Sequence, residues 1–204
     1  MQSFKTEQEA FWAGEFGEGY RQRNQSSQLY HAKVAAWAQM LKAANNINSA
    51  LELGCNIGLN LRALNGLNPD LKLHGVEINE ESAQVARDAN VAEITTGSII
   101  EPLALESFDL TFTCGVLIHI HPDFLHRVYA NLVNLSNKYV LVAEYYNPSP
   151  MAIPYRGHED RLFKRDFAGE LIEQHNLKLV DYGFFYKRDH LIPMDDISWF
   201  LLEK

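Results

Sequence analysis

The sequence predicts an α/β fold: a doubly wound, seven-stranded sheet whose last strand is reversed, preceded by an N-terminal helical flap. Three observations predict it. From Ile47 onward, short apolar segments alternate with segments whose apolar residues recur at helical spacing. A glycine-rich turn, Gly54-Cys55-Asn56-Ile57-Gly58, joins the first short segment to a helix, and an acid, Glu77, stands near the end of the second. The last two apolar segments, Leu177–Lys187 and Ile197–Leu202, leave no room for a helix between them. A parallel crossover needs about a dozen residues or more, so these two are antiparallel neighbours.

The elements follow in order. Phe11 to Tyr20 is an aromatic stretch interrupted by Gly14, Gly17 and Gly19, which suits a flap. Tyr30, Val34, Trp37 and Leu41 recur at helical spacing, so Ser27 to Ala44 reads as a helix with Ser26 or Ser27 as its cap. Ser49–Leu53 is a buried strand, and a helix begins at Leu59. Leu71–Ile78 is the second strand; Asn79 caps the helix Glu80–Ala89. Ala92–Thr96 is the third strand. Phe108–Val116 is the fourth, nearly all apolar after Asp109, as a strand covered on both faces should be. Pro122 opens a helix with Leu125, Val128, Leu132 and Leu135 on one face. Tyr139–Tyr145 is the fifth strand. Asn147 to Asp160, with three prolines, reads as a long loop, and Lys164–His175 as a helix stopped near Asn176.

Length and charge bound the rest. At 204 residues the chain is read as one domain, 1–204, with a helical segment over 1–46 and the sheet over 47–204. Its net charge of −8 argues against long nucleic acid or an anionic membrane face as partner. Cys55 and Cys114 make neither a disulfide framework nor a zinc cluster. The first residues carry no apolar signal region, and no run approaches the roughly 18 apolar residues of a membrane span. The expectation is a cytoplasmic protein with reduced thiols.

The glycine turn and the acid carry the chemistry. A glycine there lets a ligand lie against the backbone, and the following helix N-terminus offers free N–H groups. A dinucleotide site wants a second glycine where this chain has Asn56, so a bulky pyrophosphate is disfavoured and a smaller group, such as an amino-acid moiety, fits. Glu77 stands where an acid accepts both ribose hydroxyls of an adenosine. His119 and His121, two apart, point away from each other on an extended strand, so no metal site is expected.

These residues carry a resemblance. Glu52-Leu53-Gly54-Cys55-Asn56-Ile57-Gly58, Gly75-Val76-Glu77-Ile78, Thr96-Gly97-Ser98-Ile99 and Phe108 to Ile120, with a reversed last strand, resemble the Rossmann-like class I S-adenosylmethionine-dependent methyltransferases. The resemblance implies S-adenosyl-L-methionine as cofactor and S-adenosyl-L-homocysteine as product. It implies that Glu52, Gly54, Cys55, Asn56 and Gly58 hold the methionine part, and that Glu77 with Ile78 holds the ribose. Gly97 and Ser98 would edge the adenine, where the family often has Asp in place of Ser98. Cys114, Gly115 and Val116 would lie under the sulfonium. Gln8 to Gly17, on to Tyr20 and Arg23-Asn24, and Tyr155 to Phe167 are similar to the small methylases found with pseudaminic acid biosynthesis. That implies a sugar-pathway context without fixing the acceptor.

On this reading Trp12, Phe16 and Tyr20 form a lid, and Arg23 reaches the cofactor carboxylate. The acceptor lies over the ends of strands four and five, with His119 and Glu144 as candidate acid–base residues and Tyr146 beside them. Tyr155, Arg156, His158 and Arg161 form the acceptor site. Between Tyr155 and Arg165 four basic residues face two acidic ones, and arginine forks suit carboxylate or phosphate. A small anionic acceptor is therefore expected. Glu77→Ala is expected to abolish cofactor binding and leave the fold intact. Two rivals remain: a short nicotinamide-dependent oxidoreductase, opposed by Asn56 and the reversed strand, and a cofactor-binding regulator without turnover.

Overall fold

The structure is a computed structural model that describes residues 4–14, 17, 27–155 and 157–204. The chain opens with α1 (Glu7–Ala13) and α2 (Ser27–Met40). Then follow β1 (Ser49–Leu53), α3 (Leu59–Leu67), β2 (Lys72–Glu77), α4 (Glu80–Asp88), β3 (Glu93–Thr96) and β4 (Phe108–Cys114). Two 3-10 turns, Leu117–His119 and Pro122–Phe124, lead into α5 (Leu125–Asn134) and β5 (Ser136–Glu144). A hairpin of β6 (Met151–Tyr155) and β7 (His158–Lys164) precedes α6 (Phe167–His175), β8 (Lys178–Phe185) and β9 (Ile197–Glu203).

Seven strands form one sheet in the order β3-β2-β1-β4-β5-β9-β8. The first five run parallel, and β9 enters antiparallel between β5 and β8. The predicted fold class is therefore the observed one. The strand order reverses between β1 and β4, and loops that leave this point in opposite directions open a crevice at the strands' carboxyl ends. The central strands are apolar on both sides because each face has its own core. One face packs Trp37 and Met40 of α2 and Leu61 and Leu64 of α3 against Leu110, Phe112, Trp199 and Leu201. The other packs Val128 and Leu132 of α5 and Leu171 of α6 against Leu51, Leu53, Val140 and Val142.

Local signals set most boundaries. The Asn79 side chain accepts from the Ser82 N–H at 2.9 Å and starts α4. Asn176, at φ 54°, ends α6 in the left-handed conformation. Two expectations are corrected. The segment read as a long loop contains the β6–β7 hairpin. Pro154 disguised it; the register shifts between Ile153 and Tyr155, so the proline sits where the ladder is already irregular. The helix read from Lys164 starts at Phe167, because Lys164 completes β7 and Asp166 caps the helix through the Gly169 N–H at 2.8 Å. The N-terminal segment, expected to be helical, holds α1, which begins ahead of the aromatic stretch and whose start is fixed by Thr6 accepting from the Glu9 N–H.

Candidate active site

The carboxyl ends of β1, β2 and β4 and the turn after β3 floor an open cavity. At the β1–α3 turn, Gly54 at φ 81° and Asn56 at φ 48° both take left-handed conformations. Asparagine is among the few side-chain-bearing residues that accept this. The Gly54 and Cys55 N–H groups both donate to the Val76 carbonyl, which pins the turn to β2. A side chain at Gly54 would strike Val116 at 2.8 Å, so this glycine also keeps two loops in contact. Gly97 and Gly115, after β3 and β4, have nothing within 4 Å of where a Cβ would stand. They leave open space in the cavity wall.

Three buried carboxylates line the cavity: Glu9, Glu52 and Glu77. Glu77 accepts the Asn56 N–H at 2.7 Å on one oxygen and the Asn79 N–H at 2.9 Å on the other. It therefore ties the first turn to the second while each oxygen keeps acceptor capacity. Burial, opposed by those N–H donors, raises its carboxyl above the usual range. Glu52 accepts from Asn60 Nδ2 at 2.5 Å, and Asn60 Oδ1 accepts from Lys33 Nζ at 2.7 Å and Trp37 Nε1 at 3.3 Å. Burial pushes the Glu52 carboxyl up to about 8. Among the described residues, its second oxygen and Asn56 Oδ1 are buried without a hydrogen-bond partner. Glu9 accepts from the Lys5 N–H at 2.7 Å and from the Ser98 hydroxyl.

His119 forms the opposite wall. Its ring lies 4.6 Å from the Trp12 ring and 5.1 Å from the Tyr155 ring, centroid to centroid. Nδ1 stands 2.6 Å from the Arg161 carbonyl, which only accepts, so Nδ1 carries the hydrogen. Nε2 then holds the lone pair. Burial lowers the imidazole to about 4, which keeps it neutral at ordinary pH.

The sequence-derived site is thus partly assembled. Trp12, Glu52, Gly54, Cys55, Asn56, Glu77, Ile78, Gly97, Cys114, Gly115, Val116 and His119 line the cavity together. Gly58 does not: at φ 72° it closes α3 against Ala86 of α4. Ser98 does not line it either; its hydroxyl is spent on Glu9. Glu144 is corrected most clearly. Its carboxylate accepts the N–H groups of Val116 and Leu117 at 3.1 Å and of Ile118 at 3.5 Å, so it shapes the loop after β4. Tyr146 is exposed and packs on Phe200, beside a separate small recess. Tyr155 does not line the cavity; its ring stands against that of His119. Arg161 pairs with Glu7 at 3.1 Å and covers the Phe11 ring, and Arg165 pairs with Glu170 at 3.0 Å. Phe16, Tyr20, Arg23 and Arg156 lie outside the described residues, as does the His158 side chain.

Sequence reasoning missed Glu9, Lys33 and Asn60. Thr6-Glu7-Gln8-Glu9 has the spacing of a capping box, which could have announced α1 and buried Glu9. Lys33 and Asn60 carry no local signal, because their meeting depends on α2 packing on α3.

The topology, with its strand order and reversed β9, meets a matching family: a family model described as a methyltransferase domain matches residues 51–138. The fold is that of the class I S-adenosylmethionine-dependent methyltransferases. The chain is similar in fold to the 1,6-didemethyltoxoflavin-N1-methyltransferase of Burkholderia thailandensis, solved with 1,6-didemethyltoxoflavin and S-adenosylhomocysteine. The TM-score is 0.74 at 14% identity, over 100% of this chain and 92% of that one. It is similar also to magnesium protoporphyrin IX methyltransferase from Synechocystis PCC 6803 with bound SAM, at TM-score 0.71, 12% identity and 100% of both chains. A third likeness is to the complex between the Trm112 methyltransferase activator and a methyltransferase of Haloferax volcanii. There the TM-score is 0.71 at 17% identity, over 98% and 99% of the two chains. No curated protein sequence matches the chain.

The residues present fit this cofactor. An ammonium group answers the unpartnered Glu52 oxygen, ribose hydroxyls answer Glu77, and the open space at Gly97 and Gly115 admits atoms where a Cβ would otherwise project. Among the described residues no cluster of three or more His, Cys, Asp or Glu side chains could hold a metal ion, and no helix is long and apolar enough to cross a membrane.

Proposed function

We propose that the protein is a single-domain methyltransferase whose small-molecule acceptor enters beside His119, on the loop after β4. Glu52 and Asn56 hold the methionine end of the cofactor, Glu77 holds the ribose, and Gly115 and Val116 flank the sulfonium. The observation that carries this reading is the shared cavity in which Glu52, Glu77, Gly115 and His119 meet. When bound, S-adenosyl-L-methionine supplies a methyl group on a sulfonium, open to in-line displacement by the acceptor's lone pair, with the C–S electron pair staying on sulfur. Alignment in a closed pocket supplies much of the rate. His119 Nε2 takes the proton that the acceptor loses, since Nδ1 is held by the Arg161 carbonyl.

The narrower form of the proposal is an anionic, sugar-derived acceptor. It is supported by Arg161 of the β6–β7 hairpin, whose partner Glu7 an acidic acceptor would replace. The test is transfer of labelled methyl from the cofactor into a panel of nucleotide sugars, acidic sugars and neutral small molecules. Transfer into an acidic member, with Arg161→Glu raising the acceptor KM and leaving the cofactor KM unchanged, is expected. Transfer only into neutral members sinks the anionic form. No transfer across the panel, with cofactor still bound, favours the regulator without turnover. With the acceptor in hand, His119→Gln should lower kcat by about 100-fold with little change in either KM; an unchanged kcat removes its proton-accepting role.

A further inference from the structure

We propose that Glu9, carried on α1 outside the sheet, is the carboxylate that accepts the exocyclic amine of the cofactor's adenine. The inference rests on the orientation given above, with Glu52 at the ammonium and Glu77 at the ribose.

S-adenosyl-L-methionine presents three groups of hydrogen-bond donors along its length: the ammonium, the ribose diol and the adenine amine. The cavity presents three buried carboxylates. Their order follows the sheet. Gly115 ends β4, Glu52 stands near the end of β1, Glu77 ends β2, and Gly97 follows β3, on four neighbouring strands. At roughly 4.8 Å per strand this line spans about 14 Å. A cofactor with its sulfonium over β4 and its ribose at β2 carries its base onward to β3. There Gly97 leaves open space and Ile99 and Ile100 offer apolar walls to a flat ring.

The acceptor at that end is Glu9. Ser98 does not line the cavity; its hydroxyl accepts the Ile100 N–H at 3.1 Å and donates to Glu9, which does line it. Glu9 receives one donor on each oxygen, from Lys5 and Ser98, which leaves a free lone pair on each. Both existing partners orient the carboxylate, and neither uses it up. Asn79 Nδ2, donating to the Trp12 and Ala13 carbonyls at 3.3 and 3.2 Å, seats the other end of α1 on the same wall. The helix that covers the cavity is then also the part that reads the base.

The test is calorimetric binding of S-adenosyl-L-homocysteine and of its 6-oxo analogue, S-inosyl-L-homocysteine, to the full chain, Glu9→Gln and Glu9→Ala, with melting curves of each. The wild type should prefer the amine by about tenfold or more. Glu9→Ala should weaken the amine ligand by about tenfold and erase the preference, and Glu9→Gln, which keeps a carbonyl acceptor, should retain part of it. Equal losses for both ligands, or no loss for either, would reduce Glu9 to a tether and overturn the proposal while leaving the cofactor assignment intact. A wild type that binds neither ligand overturns both.

Discussion

Two stretches of the sheet's carboxyl edge bury glutamates and use them in opposite ways. On β1 and β2, Glu52 and Glu77 line the cavity, and Glu52 keeps one oxygen without a partner. On β5, Glu144 does not line it, and its carboxylate is taken up by three backbone N–H groups of the loop after β4. Burial raises both Glu52, to about 8, and Glu144, to about 7, so a raised carboxyl does not by itself distinguish the two uses. What distinguishes them is unspent acceptor capacity that faces open space. A carboxylate whose lone pairs are matched from within shapes the fold; one left with a lone pair toward a cavity is available to a ligand.

The contrast can be broken at Glu77 with the largest effect. Glu77→Gln should weaken S-adenosyl-L-homocysteine binding by about 100-fold, read by calorimetry, because charge-assisted bonds to the ribose are lost. Glu77→Ala should do the same and also lower the melting temperature, because the Asn56 and Asn79 N–H groups lose their acceptor. That revises the expectation that the site could be emptied without touching the fold. Glu77→Gln binding as well as wild type would remove the ribose assignment.

Glu52 sharpens the contrast through pH. The cofactor's ammonium needs the ionised carboxylate, and in the free protein that form is scarce below about 8. Affinity should therefore rise with pH, by up to about tenfold per unit between pH 6 and 8, and level off above. By the same linkage the free protein loses stability as pH rises from about 4.5 towards 8, because the folded chain holds a proton that the unfolded chain has released. Glu52→Gln should flatten the affinity profile. A wild-type profile without slope would show that Glu52 does not meet the ammonium.

Glu144→Gln should have the smallest effect on the ligand. Cofactor affinity is expected to stay within about threefold, while the melting temperature falls by about 5 °C as the loop N–H groups lose a charged acceptor. A large loss of affinity with unchanged melting would return Glu144 to the site.

The cavity lining along β1 and β2 was legible because its geometry is local. Gly54, Asn56 and Glu77 sit at strand ends where strand, turn and helix follow one another, so spacing along the chain nearly fixes position in space. The rest was not. His119 meets the Arg161 carbonyl across 42 residues, and Glu9 meets Ser98 across 89. Such meetings depend on where a hairpin and a helix outside the sheet come to rest. The hairpin itself was hidden by Pro154, which reads as loop when its partner strand is unknown.

By itself the sequence determined the strand order's reversed ending, the glycine turn and the acid beside it, since each is set by backbone conformation or by a connection too short for any other path. Tertiary structure alone decided which of several buried acids keeps a lone pair for a ligand. That depends on how many donors converge on each carboxylate, and the donors come from elements far apart in the chain.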